Sequence, residues 1–166
     1  ALKTQLKSMF AAYASSRYHN LQVMFPMVKN IGDMRFIHEI LEETKTEVMR
    51  DNKKISRELL DQMPIGIMVE DEDAVLNLEG ILDYEYEKTG KRVISFVSIG
   101  TNDLISGLTG LARGNVTYKN YDEKVLHAIE RIVSESGERG ISVTICGDVA
   151  RFSKTLMFSV YFKKHG

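Results

Sequence analysis

Residues 93–103 read VISFVSIGTND, a largely apolar run that stops at a glycine and passes at once into polar residues. A short run of this kind, apolar without strict alternation, suits a strand buried on both faces, and such strands belong to parallel sheets covered by helices. Working outward from it, the same form recurs at residues 21–28 (LQVMFPMV), 65–69 (IGIMV) and 141–145 (ISVTI). The segments between them carry helical spacing. Residues 2–14 place Leu2, Leu6, Met9, Phe10 and Tyr13 on one helical face, and after Asn30, a good N-cap, Ile31, Met34, Ile37, Leu41 and Val48 repeat the pattern to Arg50. A helix is predicted over 74–88, with Tyr84 and Tyr86 on its surface, and another around Val125, Ile129, Ile132 and Val133, closing near Gly137. Residues 100–120 are glycine-rich and read as an irregular loop of functional length, and residues 152–162 read as a last helix. Four strands alternating with helices predict right-handed βα units in a parallel α/β sheet.

The chain has 166 residues, 43% of them hydrophobic and 27% charged, which fits one globular domain and neither a disordered nor a collagen-like chain. Its 22 Lys and Arg against 23 Asp and Glu leave a net charge of −1, so no field of one sign exists to hold a nucleic acid or an anionic membrane. No apolar run approaches the length of a membrane span, and no secretory signal opens the chain. The single cysteine makes no internal disulfide and points to a reducing, cytoplasmic compartment. The chain opens on Ala1 and is expected to be a processed or excised piece. P-loop, dinucleotide-binding and nucleophile-elbow motifs are absent from the sequence, which argues against those three enzyme classes.

Ligands of α/β folds bind at the carboxyl ends of parallel strands, so the residues that end each run matter most. The four runs end in Phe25-Pro26-Met27, Glu70, Gly100-Thr101-Asn102-Asp103 and Cys146-Gly147-Asp148. If the strands are neighbours, Glu70 and Asp103 offer hard carboxylate oxygens on one rim, suited to Mg²⁺ sharing its shell with waters and a phosphate. Asn102 adds a neutral amide, and Arg113 a planar cation for phosphate or carboxylate. Each has a plainer reading. On residue type alone Glu70 or Asp71 is better read as a helix cap, and Asp71, Glu72 and Asp73 as solvated acid favoured at a helix N-terminus. Cys146 alone is better read as a small buried hydrophobe, Arg113 as a surface arginine, and the scattered His19, His38, His127 and His165 as surface or helix-face residues without metal spacing.

Taken in order, Met24-Phe25-Pro26-Met27, Gly66-Ile67-Met68-Val69-Glu70, Phe96-Val97-Ser98-Ile99-Gly100-Thr101-Asn102-Asp103-Leu104, Arg113-Gly114-Asn115 and Cys146-Gly147-Asp148 are more specific. The series closely resembles the phosphoenolpyruvate-binding domain of the phosphoenolpyruvate-protein phosphotransferases, enzyme I of the bacterial sugar phosphotransferase system. It is collinear with that domain over essentially the whole chain, and related barrels occur in pyruvate phosphate dikinase and phosphoenolpyruvate synthase. The resemblance implies a (β/α)8 TIM-type barrel that binds phosphoenolpyruvate with Mg²⁺ and passes its phosphoryl group to a histidine on a swivelling domain and then to HPr, leaving pyruvate. By the same resemblance Glu70 and Asp103 are the metal ligands, Asn102 and Arg113 the substrate contacts, and Cys146 the acid that protonates the enolate carbon. A thiol is mostly protonated at neutral pH, the state a proton donor needs.

The sequence departs from that family at Asp71-Glu72, at Ile105-Ser106-Gly107, at Ala112 and at Asp148. The expectation is therefore an incomplete barrel: residues 1–166 form about four βα units of one domain, without the family's first strands, which bring two arginines, and without its last strand. The isolated chain is expected to be inactive. Open sheet edges invite pairing, so a homodimer is expected. The competing expectation is a diverged, non-catalytic domain that binds phosphoenolpyruvate or pyruvate for regulation.

Overall fold

The computed structural model describes residues 1–86, 90–111 and 123–147. In chain order these form α1 (Leu2–Ser15), β1 (Val23–Phe25), α2 (Ile31–Asp51), α3 (Arg57–Leu60), β2 (Ile65–Val69), α4 (Glu72–Leu76), α5 (Leu78–Leu82), β3 (Glu85–Tyr86), β4 (Lys91–Arg92), β5 (Phe96–Gly100), α6 (Thr101–Thr109), α7 (Glu123–Glu138) and β6 (Ser142–Cys146). The four apolar runs make one parallel sheet in the order β1-β2-β5-β6, with Val23 opposite Ile65, Ile67 opposite Val97 and Ile99 opposite Ile145. Strands adjacent in that order are joined through helices, as parallel neighbours require. This is a sector of a (β/α)8 barrel.

Alternation along the strands separates the two faces of the sheet. Val23, Phe25, Ile65, Ile67, Val69, Val97 and Ile99 are buried in one cluster with Met34, Ile37 and Leu41 of α2, Leu78, Ile81 and Leu82 of α5, Leu104 and Ile105 of α6 and Ile129 and Ile132 of α7. Each such side chain taken from water contributes about 1.5–3 kcal/mol. The opposite face carries Met24, Met68, Phe96, Ser142 and Thr144, which are partly or fully exposed. There Gly66 leaves room for the Phe96 ring, which occupies the space a Cβ would fill.

Three expectations need correction. The segment 74–88 is not one helix: α4 ends at Leu76, α5 ends at Leu82, and the chain then enters a short antiparallel ribbon, β3 with β4. The break falls at Asn77, whose backbone leaves helical torsions (φ −94°, ψ 12°) and whose side-chain amide donates to the carbonyls of Asp73 (2.9 Å) and Lys29 (3.1 Å). Tyr84 therefore follows α5 rather than lying on a helix surface, and Tyr86 belongs to β3. The segment from 100 is not irregular either, because Thr101–Thr109 is helical. Its glycines bracket it: Gly100 is the N-cap, and Gly110, at φ 71°, is the left-handed C-cap whose N–H donates to Ser106 O (2.9 Å). Finally, the first strand is only Val23–Phe25, shorter than 21–28. The helix expected over 152–162 lies outside the described residues. Among the described residues no helix is long and apolar enough to cross a membrane.

Polar side chains at the helix starts fix where the connections run. Asn30 caps α2 by accepting from Gly32 N–H (2.7 Å) and Asp33 N–H (3.2 Å), and Asp33 returns the bond to Asn30 N–H (3.2 Å). Asp71 caps α4 by accepting from Asp73 N–H (2.8 Å), while its other oxygen accepts from Lys29 Nζ (2.7 Å). The Lys29 ammonium beside Asp71 holds that carboxyl below the usual carboxylate range. Asp71, Glu72 and Asp73 are thus helix-start acids, as expected from residue type.

Two predictions follow from these caps. Asn30→Ala is expected to lower urea-denaturation stability by about 1 kcal/mol, with an unchanged m-value. A folded-state carboxyl held below its unfolded value contributes stability that is present above the unfolded pKa and lost as pH falls through the folded one. The stability gap between the wild type and Asp71→Asn should therefore be full near about pH 6 and shrink towards about pH 3. A gap independent of pH would contradict the pairing.

Candidate active site at the carboxyl rim of the sheet

Because β1, β2, β5 and β6 are parallel, their carboxyl ends share one edge. The register carries the geometry further: Val69 lies opposite Ile99, so Glu70 comes beside Gly100, and Gly100 lies opposite Cys146. Glu70, Gly100 and Cys146 thus stand side by side on three adjacent strand ends. Glu70 is only 7% exposed. It is no helix cap; its Oε1 accepts from the backbone N–H of Met27, 43 residues away, at 2.9 Å. A Cβ on residue 100 would lie 2.7 Å from Glu70 Cβ, 2.9 Å from Met68 Sδ and 3.0 Å from Glu70 Oε2. Glycine at 100 is what lets the Glu70 side chain lie across the end of β5.

The β6 end is tied to the start of α6. Gly147 has φ 101°, and a Cβ there would lie 2.5 Å from Thr101 Oγ1 and 3.0 Å from Asn102 Oδ1, so only glycine fits under these two side chains. The buried Thr101 hydroxyl donates to the Cys146 carbonyl at 2.7 Å. The Cys146 thiol donates to Ile99 O (3.4 Å), and the buried Ser98 hydroxyl donates to its sulfur (3.5 Å). Both sulfur contacts are long and weak, but together they fix the direction of the thiol. Asn102 and Asp103, half-buried, occupy the first turn of α6, where backbone N–H groups point outward and favour negative charge.

The structure therefore gathers Glu70, Asn102 and Cys146 around Gly100 and Gly147, with Asp103 one residue further along α6. Arg113 lies outside the described residues, as does Asp148. Sequence reasoning assigned no role to Met27, Ser98 or Thr101. Ser98 carried a signal, a hydroxyl in a buried strand at the parity of Gly100, whereas the Met27 contact is made by backbone and leaves no trace in residue type. The described histidines stand apart from the rim. His19 Nδ1 bonds Tyr13 O (2.8 Å), His38 lies in the core with its pKa lowered by burial, and His127 is exposed near Glu130 (3.7 Å).

Glu70 and Asp103 bring carboxylate oxygens to this rim, the class of donor that Mg²⁺ takes. That ion is commonly held by one or two carboxylates with substrate phosphate and water completing the shell. No cluster of three or more His, Cys, Asp or Glu side chains able to hold a metal occurs among the described residues. Of the two rim carboxylates named from the sequence, Glu70 has one oxygen held by the Met27 N–H, and Asp103 stands in the first turn of α6.

Known proteins resemble the chain over most of its length. The chain is 30% identical over 152 residues to a phosphoenolpyruvate-protein phosphotransferase of Listeria monocytogenes, covering 89% of this chain and 24% of that protein. It is 29% identical to the protein of that name from Latilactobacillus sakei over the same shares. A probable phosphoenolpyruvate synthase of Methanocaldococcus jannaschii is 31% identical over 150 residues, 88% of this chain and 11% of that protein. The chain thus spans about a quarter of the length of the phosphotransferases it matches. In fold it resembles an HpcH/HpaI aldolase from Desulfitobacterium hafniense, with a TM-score of 0.55 over 98% of this chain and 68% of that one, at 18% identity. The family model described as "PEP-utilising enzyme, PEP-binding domain" matches residues 1–162, and the chain belongs to that family.

Proposed function

We propose that the rim binds phosphoenolpyruvate for phosphoryl transfer to a histidine of the same protein, with HPr as the next acceptor in sugar uptake. The observation that carries this reading is the buried Glu70 carboxylate laid against Gly100, beside Asn102 and the Cys146 thiol. Glu70 and Asp103 would hold Mg²⁺, which when bound neutralises charge on the phosphoryl group and orients it.

The chain's own residues supply the rest. Asn102 orients a phosphate or carboxylate oxygen, and Arg113 forks onto another. As the bond between phosphorus and the enol oxygen breaks, the phosphoryl group leaves for the histidine nitrogen and an enolate remains. Cys146 gives its proton to the methylene carbon of that enolate, completing pyruvate. The sulfur left behind keeps its contact with the Ser98 hydroxyl. A cytoplasmic address and a homodimer belong to the same proposal. A second reading, a synthase-type barrel, is favoured by the 31% identity to the probable phosphoenolpyruvate synthase.

The test is labelling of the complete protein with ³²P-phosphoenolpyruvate and Mg²⁺. Phosphohistidine that transfers to HPr is expected, with Cys146→Ala slowing pyruvate formation by about 100-fold or more. ATP-driven formation of phosphoenolpyruvate from pyruvate, without transfer to HPr, would establish the synthase reading instead. Tight, Mg²⁺-dependent binding without turnover would place the protein among regulatory binding domains.

A further inference from the structure

We propose that Met27 is a positioning residue: its backbone N–H, kept in place by a left-handed conformation that turns the following chain back to the core, fixes one oxygen of Glu70 so that the other faces the cation. The inference rests on the reading of Glu70 as a cation ligand and deepens it.

Met27 has φ 58°, a conformation that residues with a Cβ rarely adopt. Burial of its side chain does not account for this, because Met27 is 56% exposed. What the conformation achieves is at the backbone: the chain turns back to the core at Val28 while the Met27 N–H stays on Glu70. Pro26 fixes its own φ and offers no N–H, and the next N–H, that of Met27, turns towards β2 and donates to Glu70 Oε1 at 2.9 Å. Val28, one residue on, is buried again and returns the chain to the core. Unfavourable backbone conformations of this kind persist where the surroundings over-determine them, and they concentrate at ligand sites.

The geometry at the other end of the bond is equally restrictive. The Glu70 Cβ lies over Gly100, close enough that even a methyl group at 100 would displace it. With its stem held there and Oε1 held by Met27, the carboxylate has one remaining oxygen to present. The donor is a neutral amide, so it orients the carboxylate without cancelling its charge, as a lysine in the same place would. Outer contacts of this kind commonly set the affinity of a carboxylate for its metal.

The experiment is Mn²⁺ titration in the presence of phosphoenolpyruvate, read from the electron paramagnetic resonance of free Mn²⁺, on the wild type, Met27→Gly, Met27→Val and Glu70→Gln. Glycine adopts positive φ freely and keeps the N–H, so Met27→Gly is expected to bind as the wild type does. A β-branched residue disfavours that conformation, and Met27→Val is expected to weaken Mn²⁺ binding about 10-fold, with Glu70→Gln at least as impaired. Wild-type affinity in Met27→Val alongside a defective Glu70→Gln would overturn the positioning role. Unaltered binding in Glu70→Gln would instead overturn the ligand reading beneath it. Should Met27→Val not fold, the wild-type amide spectrum decides. A Met27 amide proton protected from exchange and shifted by Mg²⁺ with phosphoenolpyruvate supports the role, and one that exchanges at open-loop rates and is unmoved by Mg²⁺ overturns it.

Discussion

Taking a carboxyl group out of water is unfavourable unless the protein supplies partners, by about 1–3 kcal/mol for an unsatisfied polar group and more for a charged one. Glu70 sits in that position at the end of β2, and the surrounding structure is arranged around it. The parallel register brings it to Gly100, the missing side chain at 100 gives it room, and the turn after β1 sends a backbone N–H to it from Met27. Three strands must pair in this order for the arrangement to exist. The cost of the site is thus borne by the apolar side of the sheet, where Val69, Ile67, Val97 and Ile99 pack against the helices.

Close crossings explain three glycines at or near the strand ends. Gly66 accommodates the Phe96 ring, Gly100 accommodates Glu70 and Met68, and Gly147 lies beneath Thr101 and Asn102. Each marks a place where one strand end or side chain crosses its neighbour closely. Polar groups of adjacent elements meet at the carboxyl rim for the same reason: the Thr101 hydroxyl spans from α6 to the Cys146 carbonyl, and the Ser98 hydroxyl spans from β5 to the Cys146 sulfur. The helix starts are fixed separately, by Asn30 and by Asp71 with Lys29, so the rim is held from both sides.

The strands and their parallel pairing were legible in the sequence because burial on both faces leaves short apolar runs, and three of the four overlap their strands closely. The helix Thr101–Thr109 was hidden by its own caps, since Gly100 and Gly110 look like loop composition until one is seen to start the helix and the other to end it. The break at Asn77 was hidden because Ala74, Val75, Leu78, Ile81 and Leu82 keep helical spacing across it, and only the backbone torsions at Asn77 reveal it. At the rim, residue type could not separate Glu70 from Asp71: both are acids following a strand, yet one turns inward to a backbone donor and the other caps a helix. Family resemblance chose Glu70 as a ligand, and the structure shows where the two acids differ: Glu70 is buried against Gly100, while Asp71 caps α4.

The most direct test of the account is a crystal structure of the protein with Mn²⁺ and phosphoenolpyruvate, with the ion located by its anomalous scattering. One ion is expected, bonded to a carboxylate oxygen of both Glu70 and Asp103 at about 2.0–2.2 Å, with phosphate oxygens completing its shell and Met27 N–H still on the second Glu70 oxygen. An ion held elsewhere, with Glu70 contacting only protein, would contradict it.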